Sequence, residues 1–145
     1  MAKKKKSLII SGIVLVAIVL ILIFSPILKS EPIAIEPGLT YQNTISSKDA
    51  PDFTDKNYRR HTYSLNVAVG TTYTFEASSL SGDVILVCEY YYDDKIQILS
   101  IDAMGSGTTD HYFNSAGLKI IYVEALADET PAEYTLRVTE VEESE

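Results

Sequence analysis

The sequence predicts an all-β sandwich of about eight short strands, preceded by one transmembrane α-helix. Three observations predict it. Leu8 to Leu28 is an apolar run of 21 residues without a charge. From Leu39 onward, apolar and polar residues alternate with a period of two, the period of a strand with one buried face. Clusters of Gly, Pro, Asp, Asn and Ser divide the alternating stretches at near-regular intervals, as turns do. A chain of 145 residues is long enough for one such domain and an anchor.

Residues 1–7 form a basic N-terminus carrying Lys3 to Lys6. Residues 8–28 follow as the helix, and at about 1.5 Å per residue they cover roughly 30 Å, one hydrocarbon core. Pro26 falls in the last turn, where a broken helix is tolerated. Four lysines precede the run, whereas Lys29 alone follows it closely, beside Glu31. The positive-inside bias therefore puts the N-terminus in the cytoplasm and the C-terminal domain outside. A cleaved signal peptide, giving a secreted product, is the alternative. Its apolar region is usually about 7–15 residues and ends in a small-x-small site, whereas this run is longer and the cuts after Ser25 or Ser30 are poor ones.

Residues 29–38, KSEPIAIEPG, contain Glu-Pro twice and read as an extended linker, because proline fixes its own φ and drives the preceding residue to extended conformations. Residues 39–141 are the ectodomain. Leu39 to Ile45 is the first strand, and the polar stretch Ser46 to Asn57 is a loop. Tyr63, Leu65 and Val67 alternate with polar neighbours, and so do Tyr73 and Phe75 in Thr72 to Ala77. Val84 to Tyr92 begins apolar on both faces, the mark of a central strand. Asp93-Asp94-Lys95 turns the chain into Ile96 to Ile101. Met104 to Thr108 is a loop, Asp110 to Asn114 a short strand, and Lys119 to Leu126 a strong one. Ala127 to Pro131 is an acidic turn before Tyr134, Leu136 and Val138. Residues 142–145 are an acidic tail.

Composition narrows the function. The chain has 12 Lys and Arg against 20 Asp and Glu, and four of the cations precede the apolar run. A body that acidic repels phosphate backbones, so no nucleic-acid partner is expected. One cysteine excludes a disulfide within the chain and a cysteine-rich zinc site. Cys88, in the most apolar strand, reads as a small buried hydrophobe. His61 and His111 lie on different strands and make no zinc spacing. There is no Gly-x-Ser-x-Gly elbow, and Gly105-Ser106-Gly107 lacks the strand-to-helix setting of a phosphate loop. No catalytic residue and no resident cofactor are assigned.

Two weaker patterns remain. Asp83, Asp93, Asp94 and Asp102 lie at strand ends, and their convergence at one end of the sandwich would supply hard oxygen ligands for Ca²⁺; acidic residues in turns are also ordinary turn formers. Tyr91 lies beside Glu89, and Tyr122 shares a face with Glu124. The two rings would make an exposed aromatic platform for a glycan or protein partner, or would pack against a neighbouring strand. Tyr63, Tyr73 and Tyr134 are most simply core.

The stretches YSLNVAVGTTYTF at Tyr63 to Phe75, GDVILVCEY at Gly82 to Tyr90, GLKIIYVEA at Gly117 to Ala125 and EYTLRV at Glu133 to Val138 carry a further signal. Together they resemble the bacterial and archaeal pre-peptidase C-terminal domain, a jelly-roll-like β-sandwich often appended to secreted hydrolases. The resemblance implies a non-catalytic accessory role; some relatives bind calcium or polymeric substrates. His61, the Asp93-Asp94-Lys95 turn and Lys119 depart from the family pattern. The sequence thus leads to a single-pass membrane protein, held in the lipid bilayer through Leu8 to Leu28 and displaying a non-enzymatic interaction or accessory module. The alternatives are a structural subunit assembling through its hydrophobic helix, or a calcium- or glycan-binding domain.

Overall fold

The computed structural model describes residues 31–52, 54–91 and 94–142, with residues 90, 91 and 94 described by their backbone alone. The basic N-terminus, the Leu8 to Leu28 run, Asp93, Tyr92 and the last three residues of the acidic tail lie outside the described residues. Among the described residues no helix is long and apolar enough to cross a membrane.

From Pro32 onward the chain forms one compact unit of nine strands in two sheets. In chain order they are β1 (Ile33–Ala34), β2 (Thr40–Ile45), β3 (Tyr58–Val67), β4 (Thr71–Ser79), β5 (Val84–Tyr91), β6 (Asp94–Ile101), β7 (Ser106–Phe113), β8 (Gly117–Leu126) and β9 (Ala132–Glu140). One sheet has the order β1-β3-β8-β5-β6 and the other β2-β9-β4-β7. All pairings are antiparallel except β1 with β3. Only β5 and β6 follow one another within a sheet; every other connection crosses the sandwich.

The alternation seen in the sequence explains the layers. Tyr63, Leu65 and Val67 of β3 and Ile121 and Val123 of β8 are buried on the inner face of the first sheet. They form one apolar cluster with Tyr73, Phe75 and Ala77 of β4 and Tyr134, Leu136 and Val138 of β9. Interdigitation of these side chains is the main stabilising term, and truncating one such as Phe75 to Ala would cost about 3–5 kcal/mol. β5 is an interior strand, as its doubly apolar pattern requires, and Cys88 is fully buried in it. Burial raises its thiol pKa to about 11, so it is a packing group and a poor nucleophile at neutral pH.

The fold corrects the sequence reading in three places. Residues 29–38 were expected to be a spacer, but Ile33 and Ala34 pair with Tyr63 and Ser64, and Ile35 is buried. The sandwich therefore begins at β1, with nine strands instead of eight; a two-residue pairing leaves no periodicity to detect. Asp94 and Lys95, expected in a turn, belong to β6 and pair with Tyr91 and Glu89. β7 begins at Ser106, inside the expected loop, because Gly107 lets β6 side chains close over it: a Cβ there would lie 2.8 Å from Ile101 Cδ1.

Candidate functional site

The chemistry-bearing side chains gather on the outer face of the first sheet. Strand alternation points Arg60 of β3, Tyr122 and Glu124 of β8, Glu89 of β5 and Lys95 of β6 away from the core. The register sets Arg60 directly opposite Glu124, and Glu89 opposite Lys95. The 46–57 loop folds beside this face. Its Pro51 bridges to Arg59, the Arg60 N–H donates to Ala50 O at 3.0 Å, and the Asp52 N–H donates to Tyr58 O at 3.1 Å. Asp52 is thereby delivered to the cations.

Asp52 is the hub. Its carboxylate lies 3.5 Å from Arg60 Nη1 and in direct contact with Lys95 Nζ, and it accepts bonds from the Thr54 N–H at 2.9 Å and the Thr54 hydroxyl at 3.1 Å. Lys95 Nζ also lies 3.5 Å from Glu124 Oε1. The Tyr122 ring floors the cluster, with Arg60 4.2 Å and Lys95 5.4 Å from its centroid, and its hydroxyl donates to Glu89. Asp52, Arg60 and Glu124 are all buried. Burial alone would raise the Asp52 pKa, but Lys95 and Thr54 outweigh it and hold the carboxyl at about 2. Glu124 moves the other way: burial and the neighbouring Asp52 raise its pKa against the pull of Lys95. Tyr122 is raised by burial and by its bond to Glu89.

A second polar chain enters the core beside it. Asp49 Oδ2 lies 3.3 Å from His61 Nε2, His61 Nδ1 is 2.8 Å from the Tyr134 hydroxyl, and that hydroxyl is 2.7 Å from the Tyr63 hydroxyl. Burial, then Tyr63, raise the Tyr134 pKa, so it stays protonated. Asp49 also accepts the Ser46 N–H at 2.6 Å. Both clusters therefore fasten the 46–57 loop to the sandwich. Among the described residues, no buried side-chain nitrogen or oxygen lacks a hydrogen-bond partner.

Of the residues singled out from sequence, Tyr122 shares its face with Glu124 as expected. It is only 8 % exposed, so its ring belongs to a buried layer and not to an open platform. The Tyr91 side chain lies outside the described residues. Asp83 accepts the Ala103 N–H at 2.7 Å, which places it beside the Asp102 turn. Asp94, however, opens β6 and Asp102 follows its far end, so a strand of eight residues, about 26 Å, separates these two along the backbone; Asp93 lies outside the described residues. Among the described residues, no group of three or more His, Cys, Asp or Glu is placed to hold a metal ion. His61 and His111 lie in different sheets; burial lowers the His111 pKa, and its ring packs edge-on against Phe113.

Sequence reasoning missed Asp52, Arg60 and Lys95. A signal was present in Glu124, a charge set inside the apolar run of β8, which calls for a partner on a facing strand. Large apolar side chains stand exposed elsewhere: Met104 and Leu80 border a shallow depression with Ser78, Ser79, Gly105 and Ser106.

No protein-family model and no curated protein matches the sequence. Among solved structures, the fold is similar to the pre-peptidase C-terminal domain of a Bacillus anthracis collagenase. The TM-score is 0.52 at 16% identity, over 77% of this chain and 97% of that one. It is also similar to PliG of Aeromonas hydrophila, a periplasmic inhibitor of g-type lysozyme. There the TM-score is 0.50 at 14% identity, over 76% and 96% of the two chains. At these identities the likeness is one of fold.

Proposed function

We propose that this chain is a single-pass membrane protein, N-terminus in the cytoplasm, that displays a non-catalytic β-sandwich outside the cell as an interaction or accessory module. The observation that carries the reading is the 21-residue uncharged run behind four lysines, joined through a short connector to an acidic sandwich. Two features support the non-catalytic part. The carboxylates and cations of the outer face, and His61 with Asp49 beside the core, are engaged with one another in holding the 46–57 loop. The fold neighbours include the pre-peptidase C-terminal domain of a collagenase and a periplasmic lysozyme inhibitor. A protein or glycan is the partner class such a surface would meet.

Digestion of sealed, right-side-out vesicles with a protease tests the topology. The reading expects the sandwich to be attacked while an epitope at the lysine-rich end survives; protection of the sandwich and loss of the epitope would refute it.

A further inference from the structure

Asp52 offers its two carboxylate oxygens to different partners. Oδ1 receives the Thr54 N–H at 2.9 Å and the Thr54 hydroxyl at 3.1 Å, and lies 3.5 Å from Arg60 Nη1. Oδ2 faces Lys95 Nζ, and Glu124 Oε1 stands 3.5 Å from the same nitrogen. The side chains of Asp52 and Glu124 are 5% and 7% exposed and that of Lys95 19%, and the Tyr122 ring walls the group. An amine, a carboxyl with two hydrogen-bond donors and a guanidinium at one oxygen, and a second carboxyl within reach, the two carboxyls buried, are the groups an amide condensation needs.

We propose that Lys95 and Asp52 condense into an intramolecular isopeptide bond, with Glu124 as the acid–base catalyst and Thr54 and Arg60 as the oxyanion-binding groups. The resting state is the ion pair. One ammonium proton passes from Nζ to Oδ2, leaving a neutral amine and a neutral acid, the pair that can react. The Nζ lone pair then attacks Asp52 Cγ. The C–N bond forms, and the carbonyl π electrons move onto Oδ1, where the Thr54 N–H, the Thr54 hydroxyl and Arg60 hold the negative charge. Glu124 accepts a proton from Nζ and delivers it to the Oδ2 hydroxyl. The C–Oδ2 bond breaks, water departs, the C=O bond re-forms, and Glu124 returns to its starting state. Ammonium and carboxylate have become an amide and one water, with no external reagent. Burial, with Asp52, raises the Glu124 pKa against the pull of Lys95, and its carboxyl lies within reach of the same nitrogen.

The bond would tie the 46–57 loop covalently to the first turn of β6, joining residues 43 apart in sequence. In a chain with one cysteine it would provide the cross-link that a disulfide cannot.

Mass spectrometry of the full chain purified in detergent, with the Lys95→Arg and Glu124→Gln variants beside it, decides the matter. The expected result is an intact mass lower by one water, about 18 Da, together with a branched tryptic peptide joining the Asp52 and Lys95 segments. Lys95→Arg and Glu124→Gln are expected to keep the full mass and yield linear peptides. The wild-type measurement stands whether or not the variants fold. Linear peptides with both side chains unmodified would overturn the proposal. So would a water loss confined to Asp52 as a cyclic imide, and a branched peptide formed in Glu124→Gln to the wild-type extent would overturn the role of Glu124.

Discussion

The hydroxyls of Tyr63 and Tyr134 meet at 2.7 Å across the interior, one from each sheet, and His61 extends the chain to Asp49 at the surface. A polar thread through an apolar core fixes how the two sheets face each other, because any sliding would strand a buried hydroxyl. Replacing Tyr134 with Phe leaves both Tyr63 and His61 short of a partner. A loss of about 1–3 kcal/mol in unfolding free energy is expected, read by denaturant titration. The Tyr63→Phe/Tyr134→Phe double variant should lose less than the sum of the single ones, since the two hydroxyls share one bond.

Ile35 tests where the folded unit starts. It is 6 % exposed, and its N–H donates to Ser64 O at 2.8 Å. Ile35→Ala is expected to destabilise the sandwich by about 2–4 kcal/mol, whereas the same change at Ile33, exposed one turn of pleat earlier, should be nearly silent. A spacer would give two silent variants in a thermal melt.

How much of this was legible in the chain depends on the range of the interaction. Tyr63, Tyr73, Tyr134 and Cys88 were placed in the core correctly, because alternation is local and repeated. β1 escaped, since its two residues show no period and its partner lies thirty positions away. Asp52 and Lys95 escaped for the same reason, as two ordinary loop and turn residues until the β3 edge and the β5–β6 hairpin bring them together. Asp83 lies near the Asp102 turn, whereas Asp94 opens β6 and is held from Asp102 by the length of that strand, a separation the turn at Asp93-Asp94-Lys95 already implied.

Gly82 has φ +71°, and a Cβ there would lie 2.8 Å from Glu129 O. Strain and backbone collision therefore act together. Gly82→Ala should cost about 1–3 kcal/mol. Gly38→Ala, at φ +90° in open space, meets strain alone and should cost less, a ranking that calorimetry can check.

The Asp52 ion pair has a pH signature. Its folded pKa, about 2, lies below the ordinary 3.8, so its contribution is fully present above about pH 4 and disappears as pH falls toward 2. In Glu124→Gln, where Asp52 keeps its carboxylate, stability should fall across that window by an amount on the order of 2 kcal/mol. Asp52→Asn in the same background should flatten the slope. An unchanged slope would show that Asp52 titrates normally.

Surface labelling of intact cells with a membrane-impermeant maleimide tests the central claim most directly. Met104→Cys places a thiol at the most exposed large apolar position among the described residues, 86 % exposed, while native Cys88 is fully buried and stays silent as the background. Labelling of the variant before lysis, with none in the wild type, is the predicted result. Labelling that begins only once the membrane is broken would place the sandwich on the inner side and contradict the account.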